Sequence, residues 1–251
     1  MAKTMIVMTF NTEHCSDRRI IGANEPAPVD TSAVAYLIKK HSPDVVGLNE
    51  IKDASNDCKE MEKQTEKIAV KCGFKYYEFA RGVMFPWGDD LGNSILSSYK
   101  ITDVKTYPVK APVGDERRKN ENDWYEDRVI LVCTIDIGKP IKVISTHFGL
   151  NGLEQERMVD ELCRVIDGCN EPIILMGDFN ATPHTDILKP IYARLHSAAD
   201  IVGNSDFTWA SFAPDRILDY IFVSDGIKVI NYEVVKEIVS DHFAVKAVIN
   251  V

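Results

Sequence analysis

No stretch of this 251-residue chain has enough consecutive apolar residues to span a bilayer, and no apolar leader precedes the first strand pattern after Met-Ala-Lys. Neither a membrane anchor nor a secretion signal is expected, and the chain reads as cytoplasmic. No two of its six cysteines (Cys15, Cys58, Cys72, Cys133, Cys163 and Cys169) form a CxxC pair, which argues against a zinc ribbon or a thioredoxin-type site. A chain of this length can bury a core without staples, so all six read as reduced. Positive charge is also short: 29 Lys and Arg stand against 38 Asp and Glu, a net −9. That disfavours a broad basic face for nucleic acid, although a bound cation can offset a local cluster of acids. There is no internal repeat, no low-complexity tract and no linker-like stretch, which leaves residues 1–251 as one domain.

What the chain does have is strands that end in polar residues. Runs rich in Val, Ile, Tyr and Phe predict strands at Met5–Phe10, Asp44–Ile51, Lys75–Arg81, Gly92–Ser98, Ile101–Val109, Arg128–Ile137, Ile141–Phe148, Ile173–Gly177, Tyr220–Val223, Lys228–Val235 and Ala244–Val251. Short connections at Gly138-Lys139-Pro140 and Tyr99-Lys100 read as hairpins, so much of the pairing should be antiparallel. Helices are predicted at Thr31–His41 (after Asp30), Lys59–Cys72 (ending at Gly73) and Glu154–Asp167, each with one apolar stripe. Paired strands with a few helices between them predict an α/β fold, two packed sheets with helices outside. Lys110–Asp123 is the most polar stretch and reads as an exposed loop.

The most informative segment is Ile173-Ile-Leu-Met-Gly-Asp-Phe-Asn-Ala181. Alternation points Asp178 and Asn180 the same way at the open end of a buried strand. There an Asp can take a proton from water or bind a hard cation, and an Asn can hold the water or a phosphoryl oxygen. Four other segments repeat the pattern: Thr9-Phe10-Asn11, Gly47-Leu48-Asn49-Glu50-Ile51, Ser145-Thr146-His147-Phe148 and Ser240-Asp241-His242. Glu50, Asp178 and Asp241 are hard oxygen ligands, suited to Mg²⁺ with Mn²⁺ as the alternative. His147 and His242 can donate to phosphoryl oxygens that gain charge. Arg128 can grip a phosphate with two parallel hydrogen bonds. Asp219, inside an apolar run, needs a partner, for which a histidine is a candidate. Glu13 and His14 follow Asn11 closely enough to line the same cleft; Arg81 and Asp89–Asp90 fall near its mouth, while His41, His184 and His196 read as structural or surface residues. Together these groups fit metal-assisted hydrolysis of a phosphoester.

These motifs, in this order, resemble the endonuclease/exonuclease/phosphatase superfamily of DNase I-like phosphohydrolases. The resemblance runs from Asn11 to His242 and rests most on Gly177-Asp-Phe-Asn180 and Ser240-Asp-His242. Gly92-Asn-Ser-Ile-Leu-Ser97 and Arg216 with Asp219–Val223 also look like family segments. The sequence departs at Asn49, where the family usually has Gln before its metal-binding Glu. The resemblance implies a four-layer α/β/β/α sandwich of two largely antiparallel mixed sheets. It also implies that Glu50 holds the divalent cation, with Asn11 and Asp241 beside it. Asp178 orients or deprotonates the attacking water and Asn180 places it. His242 donates to the phosphoryl group and is oriented by Asp219, while His147 and Arg128 contact the phosphate from the other side.

The family's substrates range from DNA to lipids and sugar phosphates, and a fold does not choose among them. The expected function is a Mg²⁺-dependent phosphodiesterase or phosphatase for a small or flexible phosphoester. The alternative enzyme is a divalent-metal endonuclease or exonuclease on DNA, disfavoured by the acidic charge. An inactive binding module with the same fold is the reading from another class. No protein partner is predicted, and a monomer is expected. Aromatics at Phe85-Pro86-Trp87, Trp124-Tyr125 and Phe207-Thr208-Trp209 are read as loop anchors that could also rim a pocket.

Overall fold

The computed structural model describes residues 3–19, 25–54, 63–85, 89–121 and 124–251. Its strands are β1 (Thr4–Asn11), β2 (Val45–Ala54), β3 (Tyr76–Met84), β4 (Asp89–Ser97), β5 (Lys100–Val109), β6 (Arg128–Asp136), β7 (Pro140–His147), β8 (Ile173–Asp178), β9 (His196–Ser197), β10 (Asp219–Val223), β11 (Lys228–Val235) and β12 (Ala244–Asn250). Its helices are α1 (Thr31–His41), α2 (Gln64–Cys72), α3 (Gly152–Asp167), α4 (Lys189–Tyr192) and α5 (Ala198–Val202). The strands form two six-stranded sheets, ordered β11-β12-β1-β2-β4-β3 and β5-β6-β7-β8-β10-β9. Only the pairs β1/β2 and β7/β8 are parallel among the described residues; the rest are antiparallel.

Alternation along the strands builds the layers. One face of each sheet points inward, with Val7, Val45, Ile95, Leu131, Val143, Met176, Ile221 and Val245 in the shared core. The opposite faces carry Phe10, Val46 and Leu48 against Leu37, Ile38 and Ile68 of α1 and α2. On the other side, Ile144, Leu175 and Phe222 pack on Met158 and Leu162 of α3. The result is the expected four-layer sandwich. Each parallel pair needs a crossover connection. The β1/β2 connection contains α1, whose N-cap Asp30 accepts from Ser32 N at 2.8 Å. The β7/β8 connection contains α3, capped by Asn151 and Glu154.

The structure corrects some local expectations. Tyr99-Lys100 is not a hairpin: β4 lies between β2 and β3 in the first sheet, whereas β5 pairs with β6 in the second. Both edges of β4 are already taken, so the chain crosses between sheets in two residues. The Gly138 connection is a true hairpin, with Asp136 opposite Pro140. The predicted start of α2 at residues 59–62 lies outside the described residues, as do Cys58, Pro86 and Trp87; the described helix starts at Gln64 and ends at Gly73 with φ +83°. The two-residue β9 and the short α4 and α5 have too little periodicity to predict.

Candidate active site

The inward face changes character toward one end of the sandwich. Along β1 it reads Met5, Val7, Thr9, Asn11; along β7, Val143, Ser145, His147; along β8, Ile174, Met176, Asp178. Two-residue alternation thus carries the core outward into polar groups on rigid strand ends. In β2 a bulge between Leu48 and Ile51 breaks the alternation, and Glu50 sits there with φ +53°. A left-handed non-glycine residue costs roughly 1–2 kcal/mol. Here it turns Glu50 into the cleft, while Asn49 keeps the inward position beneath it.

Gly177 brings β8 and β7 together. Its φ is +153°, and a Cβ there would stand 1.9 Å from Thr146 O. The bare backbone lets Asp178 and His147 lie opposite each other in register. Asn49 then ties the two sheets: Nδ2 donates to Thr146 O (2.9 Å) and Asn93 Oδ1 (2.8 Å), and Oδ1 accepts from Asp178 N (3.0 Å). A shorter amide stands where the resemblance anticipated Gln, and every polar atom of it is used.

Asp178 is 1% exposed. Its Oδ1 accepts from Asn180 N at 2.8 Å and its Oδ2 from Asn11 Nδ2 at 3.0 Å. The Nε2 atoms of His147 and His242 both lie 3.6 Å from Oδ2. Asp219, pairing with Asp178 across β10 and β8, accepts from His242 Nδ1 at 2.9 Å. Thr208 Oγ1 takes the Leu218 and Asp219 backbone N–H groups and fixes that strand start. Burial pushes the Asp178 carboxyl up to about 7, against the pull of the His242 charge. Burial alone would depress His242, but the Asp219 and Asp178 carboxylates hold it up to about 10. His147 is driven well below the usual histidine range by burial and by the Arg128 charge. One histidine is therefore cationic at neutral pH and the other neutral.

Asn11 donates to both Glu50 Oε1 and Asp178 Oδ2 at 3.0 Å, while its Oδ1 accepts from Glu13 N at 3.1 Å. It meets both carboxylates through nitrogen and so spaces them. Glu13, His14 and Cys15 are three consecutive left-handed residues, φ +47°, +58° and +63°. Glu13 turns away to pair with Arg18, and His14 Nε2 comes within 3.5 Å of Glu50 Oε2. Asn180, φ +45°, donates from Nδ2 to Phe148 O at 2.9 Å. Arg128 meets His147 Nδ1 through Nη1 (3.2 Å) and Glu126 through Nη2 (3.2 Å), so its fork is occupied.

Glu50, Arg128, His147, Asp178, Asn180, Asp241 and His242 line one cavity of about 530 Å³, and Asn11 and Asp219 stand directly behind it. All the predicted site residues are brought together. His14 joins them; Arg81 and Asp90 pair with each other at 3.4 Å and line a different hollow. His41, His184 and His196 pair with Glu237, Asp200 and Asp225 away from the cavity. Sequence reasoning missed the tie made by Asn49 and the stacking of Arg216, whose guanidinium lies 4.7 Å from the indole centroid of Trp209, an aromatic that was read as a loop anchor able to rim the pocket and does line it. The buried amide in an apolar strand was the available signal for Asn49, because such a group must find partners.

The donor set can be tested against a divalent cation. Glu50 and Asp241 present carboxylates to the cavity, and both are hard donors suited to such an ion. Asp178, Asp219 and His242 also lie close enough to share an ion, their ligand atoms within 4.8 Å of one another. In that group the 2.9 Å Asp219–His242 contact is a hydrogen bond that engages His242 Nδ1.

Two packed mixed sheets with acids and histidines converging at one end define a DNase I-like phosphohydrolase scaffold. The chain belongs to the Endonuclease/Exonuclease/phosphatase family, whose profile matches residues 8–242. Members are hydrolases of phosphoesters and are generally divalent-metal dependent. Among solved structures, an endonuclease/exonuclease/phosphatase from Beutenbergia cavernae is 22% identical with a TM-score of 0.79, over 99% of this chain and 72% of that one. A family protein from Leptotrichia buccalis is 19% identical with a TM-score of 0.74, over 98% and 99%. A mannosyl-6-phosphatase from Bacteroides thetaiotaomicron is 17% identical with a TM-score of 0.70, over 98% and 99%. No curated protein matches the chain.

Proposed function

We propose that this chain is a Mg²⁺-dependent phosphoester hydrolase, a phosphodiesterase or phosphatase, that acts on a small or flexible substrate and works as one catalytic domain. The observation that carries the reading is the meeting of Glu50 and Asp241 with the Asp219–His242–Asp178 line in a single cavity. A divalent cation held by Glu50, with Asp241 beside it, would polarise a phosphoryl oxygen and offset developing negative charge. Asp178, lifted toward neutrality by burial, accepts the proton of the attacking water, and Asn180 helps hold that water. His242 donates from Nε2 to a phosphoryl oxygen while Asp219 holds its Nδ1 proton. His147 faces the same oxygens from the second sheet. Little covalent chemistry is left to the protein in phosphoryl transfer, so placement of these groups is the main contribution.

The cavity volume of about 530 Å³ supports a small substrate over duplex DNA. Trp209 with its stacked Arg216, and the exposed Trp124, offer flat surfaces to the part of the substrate beyond the phosphate. A small phosphorylated metabolite is in keeping with the mannosyl-6-phosphatase among the structural neighbours. Cys72, Cys133, Cys163 and Cys169 stand as free thiols, in keeping with a cytoplasmic site of action. The deciding assay is Mg²⁺-dependent hydrolysis of an aryl phosphodiester and an aryl phosphomonoester, with single-stranded and duplex DNA alongside. Activity that needs the cation and vanishes in Asp178→Asn is expected. Wild-type turnover unchanged by chelation, or a folded and fully active Asp178→Asn, would sink the proposal.

A further inference from the structure

We propose that Arg128 is a positioning residue that fixes His147 as the tautomer carrying its proton on Nε2, so that this ring offers the cavity a donor and not a base. The purpose rests on the hydrolase reading above; the tautomer itself does not. A guanidinium has five N–H donors and no acceptor. Its Nη1 lies 3.2 Å from His147 Nδ1, so Nδ1 has to be the bare, accepting nitrogen. A neutral ring with a bare Nδ1 holds its proton on Nε2. A protonated ring would set N–H against N–H at the same contact.

A second donor competes for the ring. Asn180 Nδ2 lies 3.3 Å from His147 Nε2, and its amide orientation is set by the 2.9 Å bond to Phe148 O. A neutral imidazole accepts at one nitrogen only, so the two donors demand opposite tautomers. Arg128 has the stronger claim because its bond is charge-assisted and buried. It is also held in place: Nη2 pairs with Glu126 at 3.2 Å, and Glu126 N donates to Glu154 Oε1 at 3.0 Å, at the start of α3. The Nε atom is buried with no partner, so the guanidinium keeps these two contacts while leaving its third direction unsatisfied. With Arg128 in control, the Nε2 proton faces Asp178 Oδ2 at 3.6 Å and Glu50 Oε1 at 3.9 Å, on the anionic side of the cavity. A phosphoryl oxygen entering there would meet a donor already aimed at it. The fork of Arg128 thus serves the phosphate through His147 and not by direct bidentate grip.

The test is long-range ¹H–¹⁵N correlation of ¹⁵N-histidine-labelled protein without substrate, with His147 assigned from a His147→Gln spectrum. Wild type is expected to show the Nε2–H pattern. Arg128→Met leaves Asn180 as the sole donor and is expected to move the proton to Nδ1. Arg128→Lys keeps one charged donor and is expected to restore Nε2–H, and Asn180→Ala to leave the wild-type pattern unchanged. In the hydrolysis assay, Arg128→Met lowers kcat roughly 10- to 100-fold with little change in KM, and Arg128→Lys recovers part of it. A wild-type ring protonated on Nδ1, or a tautomer indifferent to Arg128→Met, overturns the proposal. Should Arg128→Met fail to fold, the wild-type and Asn180→Ala spectra still decide, because control by Asn180 requires Nδ1–H in the first and its loss in the second. Absent hydrolysis with the expected tautomers strikes the hydrolase reading and leaves this one standing.

Discussion

The first sheet ends its central parallel pair, β1/β2, in Asn11 and Glu50; the second ends its own, β7/β8, in His147 and Asp178. The plan is shared and the environments differ. The Glu50 side chain is 24% exposed and reaches the cavity from a strained bulge, whereas Asp178 is 1% exposed and continues the regular alternation of β8. A carboxylate that stays partly wet leaves oxygens open toward the cavity. One that is sealed has its proton affinity raised toward neutrality, which suits proton transfer. His242 arrives just before β12 of the first sheet but is governed by Asp219 of the second. Under the proposed function, proton handling would gather on one sheet and cation binding on the other.

The largest expected effects separate those duties. Asp178→Asn should lower turnover by about 10²–10⁴-fold while Mg²⁺ binding, read by calorimetry, persists. Glu50→Gln should weaken that binding by at least tenfold and lose turnover because of it. Equal loss of binding in both variants would break the division. Next in size is a pair of strand glycines, one on each sheet. Gly177→Ala should destabilise by roughly 3 kcal/mol or more, since its Cβ meets backbone at 1.9 Å. Gly47→Ala on β2 would make only 3.4 Å contacts with Met176 and Ser145 and should cost less than about 1 kcal/mol. Urea midpoints measure both.

Asn49→Ala removes the tie between the sheets and strands Asp178 N and Thr146 O, for a cost of about 1–3 kcal/mol and a fall in turnover larger than the stability loss explains. Unchanged turnover would mean that the sheets hold their spacing without it. A gain instead of a loss is expected further along β2. Burial lifts the Asp53 carboxyl to about 6 from 3.8, so the folded state binds this proton more tightly than the unfolded chain. Stability is then lost as pH rises from about 4 through 6. Asp53→Asn keeps an acceptor for Thr65 N and should gain on the order of 1–2 kcal/mol at pH 8 and almost nothing at pH 4. An equal gain at both pH values would remove burial as its cause.

Much of this arrangement was legible in the sequence. Strand runs end in Asn11, Glu50, His147, Asp178 and His242, and an apolar strand is both easy to see and a rigid base for the polar groups at its end. Strand pairs alternating with helices pointed to two packed sheets, and family resemblance added the four-layer order and the roles. Partner choice was not legible: Tyr99-Lys100 has the brevity of a hairpin, and only the neighbours of β4 forbid one. Side-chain direction was hidden for a similar reason. Arg128 stands at a strand start in either reading, and whether its fork meets a phosphate or a histidine depends on Glu126 and on the ring across the sheet. The left-handed turn that brings His14 to Glu50 contains no glycine and left no mark in the pattern.

The two sheets are also written differently along the chain. Every strand of the second sheet lies within residues 100–223, while the first sheet is begun by β1–β4 and finished by β11 and β12, with Thr4 opposite Asn250. On the ribosome, the second sheet can therefore pair completely while the first still has an open edge along β1. Chains are made at about 5–20 residues per second, so the C-terminal strands emerge within seconds. His242 is delivered with that segment, so its 2.9 Å bond to Asp219 can form only once the first sheet closes. Closure of the first sheet and arrival of His242 at Asp219 thus belong to the same step of folding.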